Sequence, residues 1–122
     1  MYLTLTYGLS LMTIKSLTAD NLDIEMNNIS GLMIVRFTAS WCGPCKTFEP
    51  VFKELAKRND SVHFFEVDID KEPHLSAHFE VRGVPATFFC NAKTREIIHF
   101  VSGVKPLYEL QEILDDINST LV

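Results

Sequence analysis

Residues 32–46 read LMIVRFTASWCGPCK, and most of the expected architecture follows from them. The first seven are apolar or β-branched apart from Arg36, which is typical of a strand buried within a sheet. The Trp-Cys-Gly-Pro-Cys turn that follows contains glycine and proline, which commonly end strands. Beyond it, apolar residues recur at the spacing of one helical face: Phe48, Val51, Phe52, Leu55 and Ala56. We therefore predict a strand over Leu32–Thr38 and a long helix from Cys42 to about Asn59.

Shorter segments on either side complete an alternation of strands and helices. Upstream we predict a short strand over Thr13–Leu17 and a helix from Thr18 to about Asn28. Downstream we predict, in order, a strand over Val62–Asp68, a helix from Pro73 to about Phe79, strands over Ala86–Cys90 and Glu96–Ser102, and a helix that opens at Pro106. The order β-α-β-α-β-α-β-β-α predicts an α/β fold with a central mixed sheet and helices on both faces.

The composition limits the size of the molecule and its partners. The chain has 122 residues, 47% of them hydrophobic, which suits one core and excludes two domains. There are 11 basic and 16 acidic side chains, a net charge of −5, with no basic stripe for a phosphate backbone. We therefore expect no nucleic-acid partner. No apolar run approaches the roughly 18 residues that span a bilayer, so we expect no membrane partner either.

The amino-terminal residues are interpreted as a short extension. Residues 1–11 read MYLTLTYGLSL and precede a domain that we expect over residues 12–122. A signal peptide is the alternative, but the segment lacks a basic start and polar residues interrupt it. The chain has three cysteines, too few for the disulfide framework of a small secreted domain. We therefore expect one redox-active pair and a cytoplasmic location.

Cys42 and Cys45 are spaced to form a reversible disulfide. Residues three apart in the first turn of a helix share one face, with α-carbons near the roughly 5.5 Å that a disulfide prefers. Unpaired N–H groups and the positive end of the helix dipole favour the thiolate of Cys42, the attacking sulfur. Gly43 leaves room beside that sulfur, and Pro44 fits a first turn because its missing N–H needs no partner there. Cys45 is the resolving residue in this interpretation.

Other titratable residues give weaker signals. A zinc site is the alternative for the cysteine pair, because Cys42-x2-Cys45 with His74-x3-His78 imitates a zinc finger. The 28 residues between the two halves, however, exceed the usual spacing of about 12–15. Cys90 is interpreted as an inert buried thiol, since free cysteine is among the most buried residue types.

The chain resembles the thioredoxin family from about Met12 to its end, through several separate motifs. The segment Trp41-Cys42-Gly43-Pro44-Cys45-Lys46, preceded by Phe37-Thr38-Ala39-Ser40, is similar to the family's active site. Val67-Asp68-Ile69-Asp70 resembles the end of its third strand. Val81 to Thr87 resembles the loop whose proline, here Pro85, is cis and packs against the redox pair; an ordinary trans proline is the alternative. Gly103 resembles the glycine that keeps the substrate groove open.

The resemblance implies a thioredoxin fold and the reduction of protein disulfides by dithiol-disulfide exchange. It implies a groove lined by Trp41, Val84, Pro85 and Gly103, where an extended peptide adds as a strand. It also implies a monomer without a bound cofactor, which receives electrons from NADPH through a separate thioredoxin reductase. Clients of this family include peroxiredoxins and ribonucleotide reductase. A binding module that uses the groove without turnover is the alternative, and the intact cysteines argue against it.

One site departs from the family pattern. Members commonly carry a buried aspartate beneath the resolving cysteine, whereas this chain has Arg36, and the lysine that usually faces it is matched by Glu66. Because a lone buried guanidinium is costly, we expect an inverted ion pair between Arg36 and Glu66. Arg36 cannot accept a proton, so Glu66, or a water it holds, would take the proton of Cys45. The positive charge should favour thiolate and make the protein more oxidising. The alternative is that Arg36 extends into solvent.

Overall fold

The computed structural model describes residues 14–121, and its elements follow the predicted order. The strands are β1 (Lys15–Ser16), β2 (Leu32–Thr38), β3 (His63–Asp68), β4 (Ala86–Asn91) and β5 (Ile97–Ser102). The helices are α1 (Leu22–Asn27), α2 (Gly43–Arg58), α3 (Pro73–His78) and α4 (Leu107–Leu121). The predicted extension over residues 1–11 and the domain boundary at residue 12 lie outside the described residues.

The five strands form one mixed sheet in the order β1-β3-β2-β4-β5. β3 is parallel to both β1 and β2, whereas β4 is antiparallel to β2 and β5 is antiparallel to β4. β2 is therefore paired on both sides, as its apolar sequence predicted. Within residues 14–121, no helix combines the length and the apolar character that crossing a membrane requires.

Alternation along β2 divides the core into two layers. Val35 and Phe37 face the layer that α1 and α3 cover, where they pack with Met26 and Leu75. Ile34 faces the opposite layer, whose helical side chains come from α2 and α4: Phe48, Phe52, Leu55, Leu110 and Leu114. Burial of each such large side chain contributes about 1.5–3 kcal/mol. The helices thus cover both faces of the sheet, which confirms the predicted α/β class.

Two predicted elements are shorter in the structure. The first strand, predicted over Thr13–Leu17, spans Lys15–Ser16, and it ends before Leu17 because the chain turns at Thr18; Thr13 lies outside the described residues. There the Thr18 N–H donates to Asn21 Oδ1 at 2.8 Å, and the Asn21 N–H donates to Thr18 Oγ1 at 3.0 Å. This reciprocal turn delays the start of the first helix from Thr18 to Leu22. The remaining predicted bounds are correct to within one residue, the usual uncertainty of frayed ends.

Candidate active site

The two cysteines of the turn lie where the central strand leads into the long helix. β2 ends at Thr38 and α2 begins at Gly43, so the turn stands at the carboxyl end of β2. Cys42 and Cys45 form a disulfide with their α-carbons 5.3 Å apart, as their spacing predicted. The zinc alternative is not supported, because each sulfur is bonded to the other. Among the residues described, no three His, Cys, Asp or Glu side chains come together as a metal site.

Cys42 is the amino-terminal cap of α2, whereas the sequence predicted it as the first helical residue. Its backbone is extended, with φ −93° and ψ 111°, and its Sγ accepts a hydrogen bond from the Cys45 N–H at 3.1 Å. That N–H is one of the donors that a helix start leaves without an intrahelical partner. Pro44 lies in the same turn and has no N–H. A donor aimed at Cys42 supports the predicted preference for its thiolate, since hydrogen bonds to anions are strong.

The sulfurs are enclosed mainly by apolar groups. Cys42 is 4% exposed and Cys45 is 2% exposed, in a cluster with Ala39 against which Ile69 and Val84 pack. Little of the disulfide is therefore exposed to solvent. The Val84 carbonyl oxygen is 3.6 Å from Cys42 Sγ, which places that backbone beside this sulfur.

The loop that carries Val84 is held against the end of β5. The Val84–Pro85 peptide bond is cis, which confirms the expectation from the resemblance and excludes the trans alternative. The Gly103 N–H donates to the Pro85 carbonyl oxygen at 2.9 Å. Trp41, next to Cys42 in the chain, is 67% exposed. Of the four residues predicted to line a groove, Trp41 adjoins Cys42 in the chain, Val84 lies beside the Cys42 sulfur, and Gly103 is hydrogen-bonded to Pro85.

Arg36 lies beneath the disulfide on the sheet face covered by α2. Its Nη2 is 2.6 Å from Glu66 Oε2, and the two residues are direct partners in the β2–β3 register. Its Nη1 donates to the carbonyl oxygen of Cys45 at 3.4 Å. The Arg36 side chain is only 4% exposed, compared with 36% for Glu66. The predicted inverted ion pair is therefore present, and the alternative of an arginine extended into solvent is wrong.

A cavity of about 290 Å³ joins this ion pair to the redox site. Arg36, Cys45 and Glu66 all line it, together with Glu49 and Asp68. The arrangement brings the Glu66 carboxylate and solvent space next to Cys45.

Sequence reasoning missed two residues of the site. The indole Nε1 of Trp41 donates to Asp70 Oδ2 at 2.8 Å, which fixes the exposed ring. The Phe52 ring lies under Arg36, with its centroid 5.2 Å from the guanidinium carbon. Asp70 stood in the motif after β3, and Phe52 stood on the predicted buried face of α2. No sequence signal indicated which side chain each would meet.

The site defines the class of the protein. A disulfide at the start of a helix, next to a cis-proline loop, serves exchange rather than cross-linking, because it closes only a three-residue separation. The chain is accordingly a thiol-disulfide oxidoreductase.

Comparison with known proteins assigns the family. The thioredoxin family model matches residues 13–116. A thioredoxin of Staphylococcus haemolyticus is 37% identical over 105 residues, which cover 85% of this chain and 97% of the relative. Thioredoxin C-3 of Corynebacterium nephridii is 37% identical over 99 residues, covering 81% of this chain and 67% of the relative. The chain belongs to the thioredoxin family.

A solved structure shows the same fold at lower identity. The crystal structure of a chloroplastic thioredoxin z superposes with a TM-score of 0.76 and 22% identity, covering 88% of this chain and 96% of the other. Family membership implies disulfide-containing clients and a thioredoxin reductase in general terms.

Proposed function

We propose that the chain reduces client disulfides, with Cys42 as nucleophile and Cys45 as resolving residue. The Cys42 thiolate attacks one client sulfur, and the other client sulfur leaves and takes a proton. Cys45 then displaces the first client sulfur and closes the Cys42–Cys45 disulfide. Starting from the Cys42 thiolate and the Cys45 thiol, the cysteine pair loses two electrons and one proton; the client gains the two electrons and two protons, the second of which comes from the solvent that took it when Cys42 ionised. The observation that carries the proposal is the hydrogen bond from the Cys45 N–H to Cys42 Sγ at 3.1 Å.

Clients would bind as an extended segment beside Val84. Its carbonyl oxygen lies 3.6 Å from Cys42 Sγ, so a paired client strand would present its own sulfur to Cys42. Pro85 removes a competing N–H at this point, and Trp41 offers an exposed apolar surface. Gly103 leaves the far side of the groove free of a side chain. In the turn itself, Gly43 would give access to the sulfur and Pro44 would stiffen the backbone.

Glu66 would accept the proton that Cys45 releases during resolution. Arg36 has no acceptor site, whereas Glu66 lines the same cavity as Cys45 and is held in place by its ion pair. Solvent in the cavity would carry the proton between them. Glu66→Gln should then slow resolution while initial attack by Cys42 continues.

Family membership supports a proposal for the partners and the location. We propose a cytoplasmic monomer that needs no bound cofactor, no membrane and no nucleic acid. A thioredoxin reductase that uses NADPH would reduce its disulfide after each cycle. Peroxiredoxins and ribonucleotide reductase are the client classes to test first. The domain would extend over residues 12–122, with residues 1–11 outside the redox machinery.

Reduction of a disulfide-linked protein such as insulin, with dithiothreitol as the electron source, tests the proposed activity. The wild type and Cys90→Ser should show the same rate above background, and Cys42→Ser should show none. A binding module without turnover would show no cysteine-dependent rate in any of the three proteins, and that result would refute the proposal.

A further inference from the structure

The Arg36–Glu66 ion pair is asymmetric with respect to the disulfide. Its cationic end is 4% exposed and contacts the first turn of α2 through the Cys45 carbonyl oxygen at 3.4 Å. Its anionic end is 36% exposed. Arg36 and Glu66 line the same cavity, but the carboxylate is the end that solvent screens more, and the guanidinium is the end that contacts Cys45.

Little else compensates the guanidinium at its inner end. Its Nε has no hydrogen-bond partner among residues 14–121, and its other close neighbour is the face of Phe52, 5.2 Å from Cζ. An aromatic face attracts a cation but carries no net charge. The other charged residues lining the cavity are Lys46, Glu49 and Asp68. The Glu49 carboxylate is paired with Lys53 at 3.3 Å, and Asp68 Oδ1 accepts hydrogen bonds from the backbone N–H groups of Asp70 at 2.9 Å and Lys71 at 3.4 Å.

A charge in this position acts on one redox state only. The disulfide is neutral, whereas the reduced pair carries a thiolate once Cys42 ionises. A neighbouring cation stabilises the thiolate and leaves the disulfide almost unaffected. Because Arg36 is 4% exposed and Glu66 is 36% exposed, solvent screens the attraction of the guanidinium less than the opposing effect of the carboxylate. The equilibrium is thereby displaced toward the reduced pair.

We propose that Arg36 makes the Cys42–Cys45 disulfide a ready oxidant, so that the chain also donates its disulfide to client dithiols. This inference rests on the exchange chemistry proposed above and adds its direction. A client thiolate attacks Cys42 Sγ and Cys45 leaves; the second client thiolate then displaces Cys42. The client loses two electrons and two protons, and the cysteine pair gains them. Glutathione disulfide, a small-molecule disulfide, reoxidises the pair by the same exchange.

Equilibration with mixtures of reduced glutathione and glutathione disulfide measures the effect. Arg36→Met removes the inner charge, and the equilibrium constant for reduction should fall at least tenfold, about 30 mV for a two-electron couple. Glu66→Gln removes the outer charge and should raise the constant by a smaller factor of about two to five. Arg36→Lys keeps the charge and should stay within about twofold of the wild type.

Opposite signs separate an electrostatic effect from a structural one, because losing the packing of the pair would shift both variants alike. Arg58→Met is the matched control, since it breaks an Arg–Glu contact of 2.8 Å at the far end of α2 and should leave the constant unchanged. Shifts of the same sign in Arg36→Met and Glu66→Gln, or no shift in Arg36→Met, would overturn the inference. If Arg36→Met does not fold, Glu66→Gln is sufficient as the test. An equilibrium constant for reduction that falls or does not change in Glu66→Gln would then overturn the inference.

The inference and the proposed function fail in different ways. Stoichiometric oxidation of a dithiol peptide by the isolated wild-type disulfide is expected, together with the variant shifts. Absence of this transfer, with insulin reduction intact, would refute only the inference. Absence of any Cys42-dependent reduction would refute the function on which it rests.

Discussion

Cys90 differs chemically from the two cysteines at the start of α2. It is a free thiol within β4, 2% exposed, in register with Met33 of the neighbouring strand. Burial raises the pKa of its thiol to about 12. Because the thiolate is the reactive form, only about one molecule in ten thousand would be ionised there at pH 8. The interpretation of Cys90 as an inert buried residue agrees with this environment.

Alkylation of the reduced native protein should therefore spare Cys90. With iodoacetamide at pH 8, peptide mass spectrometry is expected to find Cys42 modified and Cys90 unmodified until denaturant is added. Reactivity at Cys90 should grow as the pH rises toward about 12, where its thiolate becomes abundant. Modification of native Cys90 at the rate of Cys42 would contradict this assignment.

Individual residues differ in how far the sequence could predict them. Strand alternation puts Arg36 on the same face of β2 as Ile34, because the two faces of a strand follow a period of two, but it does not say which helix covers that face. Its pairing with Glu66 came from the family resemblance rather than from spacing. The contacts of Phe52 and Asp70 depend on how separate elements pack, and no local pattern encodes that. The Cys42–Cys45 disulfide could therefore be predicted from the sequence, whereas the contacts of Phe52 and Asp70 around it could not.

At the scale of elements, the strongest sequence signals belonged to β2 and α2. β2 has the predicted bounds Leu32–Thr38, because a central strand is buried on both faces and reads as one apolar run. The predictions of β1 and α1 were less accurate. β1 is an edge strand of two residues, and Thr18 closes a turn before the helix begins. Side-chain hydrogen bonds compete with helix formation at such positions.

Gly103 and Gly31 allow a test of the proposed client-binding groove, because both glycines lie next to strands of the sheet. Both have positive φ, +80° and +101°, and in both an added Cβ would meet nothing within 4 Å. Each change to alanine should lower the free energy of unfolding by a similar amount, about 1–2 kcal/mol from backbone strain. Only Gly103→Ala should also raise KM for a client, because Gly31 precedes β2 away from the redox turn. Urea unfolding and insulin reduction measure the two effects; a raised KM in Gly31→Ala would count against the groove.

For the whole molecule, stability should depend on the two core layers rather than on the surface. Phe89 is 0% exposed in β4, and Phe89→Ala should cost about 3–5 kcal/mol. Tyr108 is 65% exposed on α4, and Tyr108→Ala should change stability by about 0.5 kcal/mol or less. Urea denaturation gives both values. Similar costs for the two variants would show that the layers are not as described.

The proposed monomer is also a property of the whole chain. Light scattering on a size-exclusion column should give a mass near 13.9 kDa. Among residues 14–121, the apolar side chains with the largest exposed fractions are those of Trp41, Tyr108 and Ile24, which are far apart in the sequence. Single exposed apolar residues are common in monomers. A stable mass of twice this value would contradict the proposal.

The central claim is that Cys42 attacks and Cys45 resolves, and trapping the intermediate tests it most directly. Oxidised peptide is added to reduced Cys45→Ser, and intact-mass spectrometry detects any covalent adduct. We expect a mixed disulfide that maps to Cys42, persists because no resolving thiol remains, and is absent from Cys42→Ser. An adduct that maps to Cys90, or one that forms equally well in Cys42→Ser, would contradict the account.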